Sequence, residues 1–329
     1  MALITIIIDG REIQVEQGTT IMNAARQVGG DIVPPAMCYY TSIQGSGGKC
    51  RACLVKVTKG STADPRPMPK LVASCCTAAQ DGMVVQNVTS PEVMDTRRGV
   101  VEFLLLNHPL DCPICDQAGE CDLQDFSFQH GLQNQRTEFV RRTFDMIDIG
   151  KNIKLHMNRC IMCYRCVMVA DQLTNERLHG VLFRGDKSEI STYIQKVVEN
   201  DFSGNIIDVC PVGALTDKHF RFRNRVWFTK PVDAHRNCDK CCGKVVLWMR
   251  GDEVYRVTGR RNQYGEVIEF ICDDCRFHRY NTYDWVIEGP RTIKHQSVIS
   301  VNHYEKDTKP LPEVLYAKLD NSKWNSFTI

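Results

Sequence analysis

Seventeen cysteines, most of them gathered into short-spaced groups, constrain what this chain of 329 residues can fold into more than any other feature of it. Thiols placed in this way end up in disulfides or on metals, and the redox compartment decides between the two. The N-terminus, MALITIIIDG, enters a strand pattern directly and shows no signal-peptide architecture, so a reducing compartment is expected. There, clustered cysteines are read as metal ligands or redox centres before disulfides. The best apolar run, VVEFLLL at 100–106, falls far short of the ~18 residues that span a bilayer, so membrane association is expected only through partners. A net charge of +2 offers no electrostatic footprint for nucleic acid. At ~100–200 residues per domain, the length suits two or three domains, or more if they are small.

Four ligand sets stand out. The first is Cys38, Cys50, Cys53 and Cys75, spaced C-x11-C-x2-C-x21-C in CYYTSIQGSGGKCRAC and ASCC. Three near thiols and a distant fourth follow the plant-type [2Fe–2S] pattern with a longer first gap. Gly45, Gly47 and Gly48 suit a loop whose backbone N–H groups must approach bridging sulfides. They do not form a phosphate-binding Walker loop, because Lys49 is followed by Cys50 rather than Ser or Thr. Spacing leaves Cys75 and Cys76 open as the fourth ligand. The second set, HPLDCPICDQAGEC, offers His108, Cys112, Cys115 and Cys121. An imidazole in place of one thiolate removes a negative charge from a cluster and raises its potential, and zinc accepts three thiolates and an imidazole as well.

The third set begins at CIMCYRC with Cys160, Cys163 and Cys166. Two-cluster ferredoxins continue such a run with C-x3-C-P, and the fourth cysteine of each run serves the other cluster. Here position 170 is Ala170, while the missing Cys-Pro stands at Cys210-Pro211. The second run would place cysteines at 200, 203 and 206, where the chain has Asn200, Ser203 and Ile206. Losing all four positions together deletes one cluster and leaves the other whole, as Cys160, Cys163, Cys166 and Cys210. The fourth set, Cys238 and Cys241 with Cys272 and Cys275, reads C-x2-C-x30-C-x2-C around a hairpin pattern, which is also how a structural zinc site looks. Cys76 and Cys242 remain, each beside a ligand candidate.

Between these sets, LITIII and EIQVE flank Asp9-Gly10, a strong hairpin signal. TTIMNAARQVGG predicts a helix capped by Thr19 or Thr20, with Ile21, Ala24, Ala25 and Val28 on its buried face and Gly29 as its stop. Ser90-Pro91 opens a helix running to about 106. KVVLWMRGDEVYRVT at 244–258 predicts a second hairpin around Gly251-Asp252. HFRFRNRVWF at 219–228 alternates aromatics with Arg221, Arg223 and Arg225, as a nucleic-acid strand would, although an edge strand or a partner face explains it equally well. The fold class expected is α+β and multidomain. Residues 1–90 read as a β-grasp [2Fe–2S] ferredoxin-like domain and 91–135 as a small helical [4Fe–4S] segment with one histidine and three cysteines. Residues 136–225 read as a [4Fe–4S] ferredoxin-like domain with one cluster lost, 226–288 as a small β-rich four-cysteine metal domain, and 289–329 as a polar tail that lies on a partner.

Taken together, CYYTSIQGSGGKCRAC with VASC, HPLDCPICDQAGEC with CDLQD, and CIMCYRC with VCPVGALTDK closely resemble the large iron–sulfur subunit of bacterial respiratory complex I, the NADH:quinone oxidoreductase. The resemblance covers roughly residues 1–290 and selects Cys75 over Cys76. It implies one [2Fe–2S] and two [4Fe–4S] clusters, the His-ligated centre among them, in an electron-transfer subunit on the cytoplasmic side of the bacterial inner membrane. Its partners would be a flavin/NADH-binding subunit and other peripheral-arm subunits, with NADH and quinone bound elsewhere than on this chain and proton movement left to membrane subunits. An electron-relay subunit of an NAD-linked hydrogenase or formate dehydrogenase is the alternative, and a zinc-stapled scaffold is a third reading. Two departures are visible. Members with a further cluster use C-x2-C-x3-C and a distant cysteine, whereas Val245 stands at the third position here and Cys275 is added. The C-terminal site is therefore expected to hold a third [4Fe–4S] cluster or zinc. The resemblance also implies a continuation into a molybdopterin-oxidoreductase-like region, and residues 1–329 are expected to be a short form without it.

Overall fold

Strand β1 (Leu3–Ile8) turns back into β2 (Arg11–Glu16) through Asp9 and Gly10, both at positive φ (46° and 80°), as a tight hairpin of the primed type requires. The computed structural model describes residues 2–131, 136, 140–174, 178–192 and 198–290. Helix α1 (Ile21–Val28) is capped by the Thr20 hydroxyl, which accepts from the Asn23 amide, and stops at Gly29 with φ 75°. β3 (Leu54–Lys59), β4 (Val72–Ala73) and β5 (Met83–Gln86) complete a five-stranded sheet in the order β2-β1-β5-β3-β4, with β1 and β5 parallel. Ile6 and Ile8 of β1 point into the core against Ile21, Ala24 and Ala25 of α1. Each such isoleucine, fully buried, stabilises the unit by about 1.5–3 kcal/mol. Val28, expected on the buried face, is 47% exposed because it occupies the last turn. Met22 is buried instead, packed with Cys53 and Cys75.

α2 (Pro91–Leu105) starts at Ser90, whose hydroxyl accepts from the Val93 amide, and packs against α3 (Asp122–His130). β6 (Ile147–Asp148), β7 (Ile153–Leu155), α4 (Arg165–Thr174), β8 (Gly180–Leu182), β9 (Glu189–Ser191), α5 (Asn205–Asp208) and β10 (Leu215–Asp217) follow. They form a three-stranded sheet, β10-β7-β6, and a separate hairpin, β8-β9. One apolar core runs through all of these regions, from Met37, Tyr40 and Ile43 through Val101 and Phe126 to Leu155 and Leu215. The remaining unit is an antiparallel sheet, β13-β12-β11-β14, made of β11 (Lys230–His235), β12 (Lys244–Arg250), β13 (Glu253–Gly259) and β14 (Val286–Pro290), with α6 (Asp273–Phe277) against it.

Residues 219–228 make no strand. The segment is a run of turns in which Arg221 faces Asp116 (3.7 Å), Arg223 pairs with Glu253 (3.0 Å) and Arg225 donates to the carbonyls of Cys115 and Pro113. The arginines that suggested nucleic acid are thus engaged within the chain. Gly289 and Pro290 pair with Asp233 and Val232 of β11, so strand structure continues past residue 288. The rest of the expected tail, 291–329, lies outside the described residues. Among the described residues no helix is long and apolar enough to cross a membrane.

Candidate metal centres

Cys38, Cys50 and Cys53 on the loop between α1 and β3, with Cys75 just past β4, bring their thiols together as two pairs. Cys53 and Cys75 stand with sulfurs 3.3 Å apart, and Cys38 pairs with Cys50. The hydrogen bond from the Cys50 thiol, with the amides of Lys49 and Cys50 (both 3.3 Å from the sulfur), holds the Cys38 thiol below its usual range. Two pairs of thiols are what two irons, each held by two thiolates, ask for. Gly47 and Gly48 have φ of 103° and 71°, and a Cβ on either would press on the sulfurs of Cys75 or Cys76 at 3.1–3.3 Å. The Gly48 amide donates to Cys75 (3.3 Å). Cys75 is buried and aimed at Cys53, whereas Cys76 is exposed.

Cys160, Cys163, Cys166 and Cys210 line one cavity, with Leu155, Ile190, Val212 and Leu215 as apolar walls. Met162 and Tyr164 sit at φ 53° and 63°, a left-handed conformation that costs an L-residue roughly 1–2 kcal/mol and that wraps the loop around the sulfurs. Burial pushes the thiols up, Cys163 to about 12 and Cys166 and Cys210 likewise upward. Four thiols held protonated in an apolar pocket are suited to a centre whose positive charge would deprotonate them. The positions that would have served a second cluster are used otherwise. Ala170 and Ile206 are packed in the core, and Ser203 donates to Asp273.

His108 follows the end of α2, and its Nδ1 is shielded from water without a hydrogen-bond partner. Burial, aided by the Arg159 guanidinium, pushes its pKa down to about 4, so the ring is neutral and its lone pair free to bind a metal. Cys115 and Cys121 are buried, while Cys112 is exposed on the turn between them and His108. Cys115 feels Cys112, and Cys121 feels Cys115, as neighbouring charges.

The third set lies between the other two. Arg165, inside the CIMCYRC run, donates to the carbonyls of Ala36 (3.2 Å) and Tyr39 (2.8 Å) beside Cys38 and faces Asp122 (3.7 Å) beside Cys121. Gln44 and Gln172 exchange two hydrogen bonds across the same boundary (3.0 and 2.9 Å). On the other side Arg159 pairs with Asp111 (2.9 Å), and the Asp122 amide donates to the Pro211 carbonyl (3.1 Å). Gly213 lies so close to the Cys115 sulfur that a Cβ has no room. Sequence reading singled out neither Arg165 nor Gly213. The only signals were an arginine where a ferredoxin run needs none and a glycine just after Cys-Pro.

In the C-terminal unit Cys238, Cys241, Cys272 and Cys275 bring all four sulfurs within 4.8 Å of one another. Val245, in register with Ala234 and Gly259, is fully buried in the sheet core.

Comparison with known proteins bears on these centres. A "2Fe-2S iron-sulfur cluster binding domain" matches residues 1–90, an "NADH-ubiquinone oxidoreductase-G iron-sulfur binding region" matches 97–136, and an "NADH-quinone oxidoreductase subunit 3, ferredoxin-like domain" matches 150–216. The NADH-ubiquinone oxidoreductase 75 kDa subunit of Reclinomonas americana is 41% identical over 275 residues, covering 84% of this chain and 38% of that protein. The chain belongs to the family of this large iron–sulfur subunit of NADH-quinone oxidoreductase. Its NADH-quinone oxidoreductase relative in Rickettsia bellii is 40% identical over 308 residues, 91% of this chain and 42% of that protein. This chain therefore spans about two fifths of the length of the curated relatives it matches. A crystal structure of an NAD+-reducing [NiFe]-hydrogenase in the H2-reduced state superposes with a TM-score of 0.59 at 26% identity, covering 68% of this chain and 92% of that one. The first three cysteine sets fall inside the three matched regions, and the fourth lies beyond them.

Proposed function

We propose that this chain is an electron-transfer subunit of an NADH:quinone oxidoreductase. It would hold a [2Fe–2S] cluster on Cys38, Cys50, Cys53 and Cys75, a [4Fe–4S] cluster on His108, Cys112, Cys115 and Cys121, and another on Cys160, Cys163, Cys166 and Cys210. Such clusters, when bound, take up and release one electron at a time. The observation that carries the reading is the contact of the middle set with both others, through Arg165, Arg159 and the Pro211 carbonyl. The chain's own part is to fix three ligand sets in one rigid core, keep water from the sulfurs and set their hydrogen bonding. The sheet order β2-β1-β5-β3-β4 with α1 against it supports a β-grasp reading of residues 1–90.

A flavin- and NADH-binding subunit and other peripheral-arm subunits are the partners in this reading, on the cytoplasmic face of the membrane. Leu110 and Ile114, beside Cys112, and Trp227, against Gly119, are exposed apolar side chains near the second set, which suits a docked neighbour there. The likeness to the hydrogenase chain supports one alternative, an electron-relay subunit of an NAD-linked hydrogenase. Co-purification with proton-pumping membrane subunits, or with a hydrogenase, separates the two.

Iron, sulfide and zinc quantification on anaerobically purified protein, with EPR of the reduced sample, tests the reading. Absence of both [2Fe–2S] and [4Fe–4S] signals rejects it. At the second set, His108→Cys is expected to keep iron near normal while lowering that centre's potential by on the order of 100 mV, because a thiolate restores the negative charge that imidazole withholds. An unchanged redox titration would count against His108 as a ligand.

A further inference from the structure

We propose that Cys238, Cys241, Cys272 and Cys275 hold a single tetrahedral zinc ion, and that this ion clamps the C-terminal sheet onto the segment leading into Cys210. The Cys238 and Cys272 sulfurs are 3.7 Å apart, as are those of Cys241 and Cys275, and all four lie within 4.8 Å of one another. A zinc ion with four Zn–S bonds of about 2.3 Å has S···S edges of about 3.8 Å. A cubane gives each thiolate its own iron, so its four thiolates stand apart by the width of the iron tetrahedron plus two outward bonds. The observed spacing fits one ion and is too tight for four.

The backbone is shaped for the same purpose. Cys238 and Cys241 lie on the loop between β11 and β12, where Gly243 at φ 67° lets its own amide donate to the Cys241 sulfur (3.4 Å) and its carbonyl accept from the Arg236 amide (3.1 Å). The site leaves no room for a Cβ at Gly243, against the Arg236 carbonyl. Cys272 and Cys275 come from the start and middle of α6 and are fully buried in the core of the sheet. Among divalent ions that thiolates accept, zinc binds more tightly than iron(II).

The clamp reaches beyond its own unit. Asp273, between the two α6 ligands, accepts from the Ser203 hydroxyl and from the Gly204 amide (2.8 Å), and its own amide donates to the Asp201 carbonyl (2.6 Å). Asn205 exchanges two hydrogen bonds with the backbone of Ile271 (2.8 and 3.1 Å). The stretch where a second ferredoxin cluster would have taken its ligands is thus the seat on which the zinc-bound helix rests.

This inference does not depend on the electron-relay reading, and its test reads zinc where that reading's test reads iron. Full-length protein, purified anaerobically from medium containing both metals, is expected to carry about one zinc per chain, with four sulfurs at about 2.3 Å in zinc-edge X-ray absorption. Cys275→Ser should remove that zinc while iron and acid-labile sulfide stay at the wild-type level. Wild-type protein without stoichiometric zinc, or with one iron in its place, overturns the proposal, as does a Cys275→Ser chain that loses about four irons. Should the variant fail to accumulate, the absorption spectrum of the wild-type protein decides alone.

Discussion

Cys210→Ala in the full chain is expected to lower iron and acid-labile sulfide by about four each per molecule and to remove one [4Fe–4S] signal, leaving the [2Fe–2S] signal in place. Cys210 reaches the cavity of Cys160, Cys163 and Cys166 from the turn between α5 and β10, in an apolar wall formed by Val212, Ala214 and Leu215. Removing its sulfur takes one of four ligands from a pocket whose other polar groups are few, so no neighbouring side chain is placed to replace it. The [2Fe–2S] set draws on a different loop and its own hydrogen bonds from Gly48, Lys49 and Cys50, which is why its signal should persist. Unchanged iron content would place the fourth ligand elsewhere and break the reading of the third set. Combined with EPR, the measurement also distinguishes loss of one cluster from collapse of the fold, since collapse would extinguish every signal together.

The elements that sequence made legible are those governed by local chemistry. Asp9-Gly10 predicts its hairpin because few other residue pairs accept two successive left-handed conformations, and Ser90-Pro91 predicts the start of α2 because a hydroxyl cap and a residue without an amide satisfy the same helix end. Cysteine spacing likewise singled out the four ligand candidates; the structure gathers the third set around one cavity and brings the fourth within 4.8 Å. What the sequence hid depends on long-range packing. Nothing local marks Arg165 as the residue joining three sets, since its acceptors at Ala36 and Tyr39 lie about 130 positions away. The alternating Arg and aromatic residues of 219–228 follow a strand period, yet their arginines answer to Asp116, Glu253 and the carbonyl of Cys115, none of which the local pattern reveals. At the C-terminal site the residue types left cluster and zinc both open, and the zinc proposal rests on the distance between sulfurs, which no spacing in the sequence reveals.

Arg276→Met is expected to destabilise the junction between the C-terminal sheet and the ferredoxin-like region by about 3 kcal/mol, the low end of the ~3–5 kcal/mol that losing one partner of a buried ion pair costs. Arg276 and Asp208 are both almost wholly buried (side chains 2% exposed each) and bonded through both guanidinium terminal nitrogens. Burial by itself would push Asp208 up, but Arg276 and Arg261 outweigh it and hold the carboxyl below its usual range. With Arg276 gone, Asp208 keeps the Gly259 amide (3.2 Å) and Arg261 at 3.8 Å, and this partial compensation is the reason for the lower figure. A chain of several units with bound metal does not unfold in one step, so a single midpoint is the wrong readout. Amide hydrogen exchange is the right one. About 3 kcal/mol corresponds to a protection loss of roughly a hundredfold, expected at residues 204–210 and 257–261 and absent from the sheet of residues 3–16. The double variant Asp208→Leu with Arg276→Met should recover most of that protection, because it removes both charges of the buried pair and leaves Arg261, 31% exposed, on the backbone carbonyl of residue 208 (3.2 Å). Equal loss in single and double variants would mean that shape, and the close seat of Arg276 against Gly204, matters more than the charge pair.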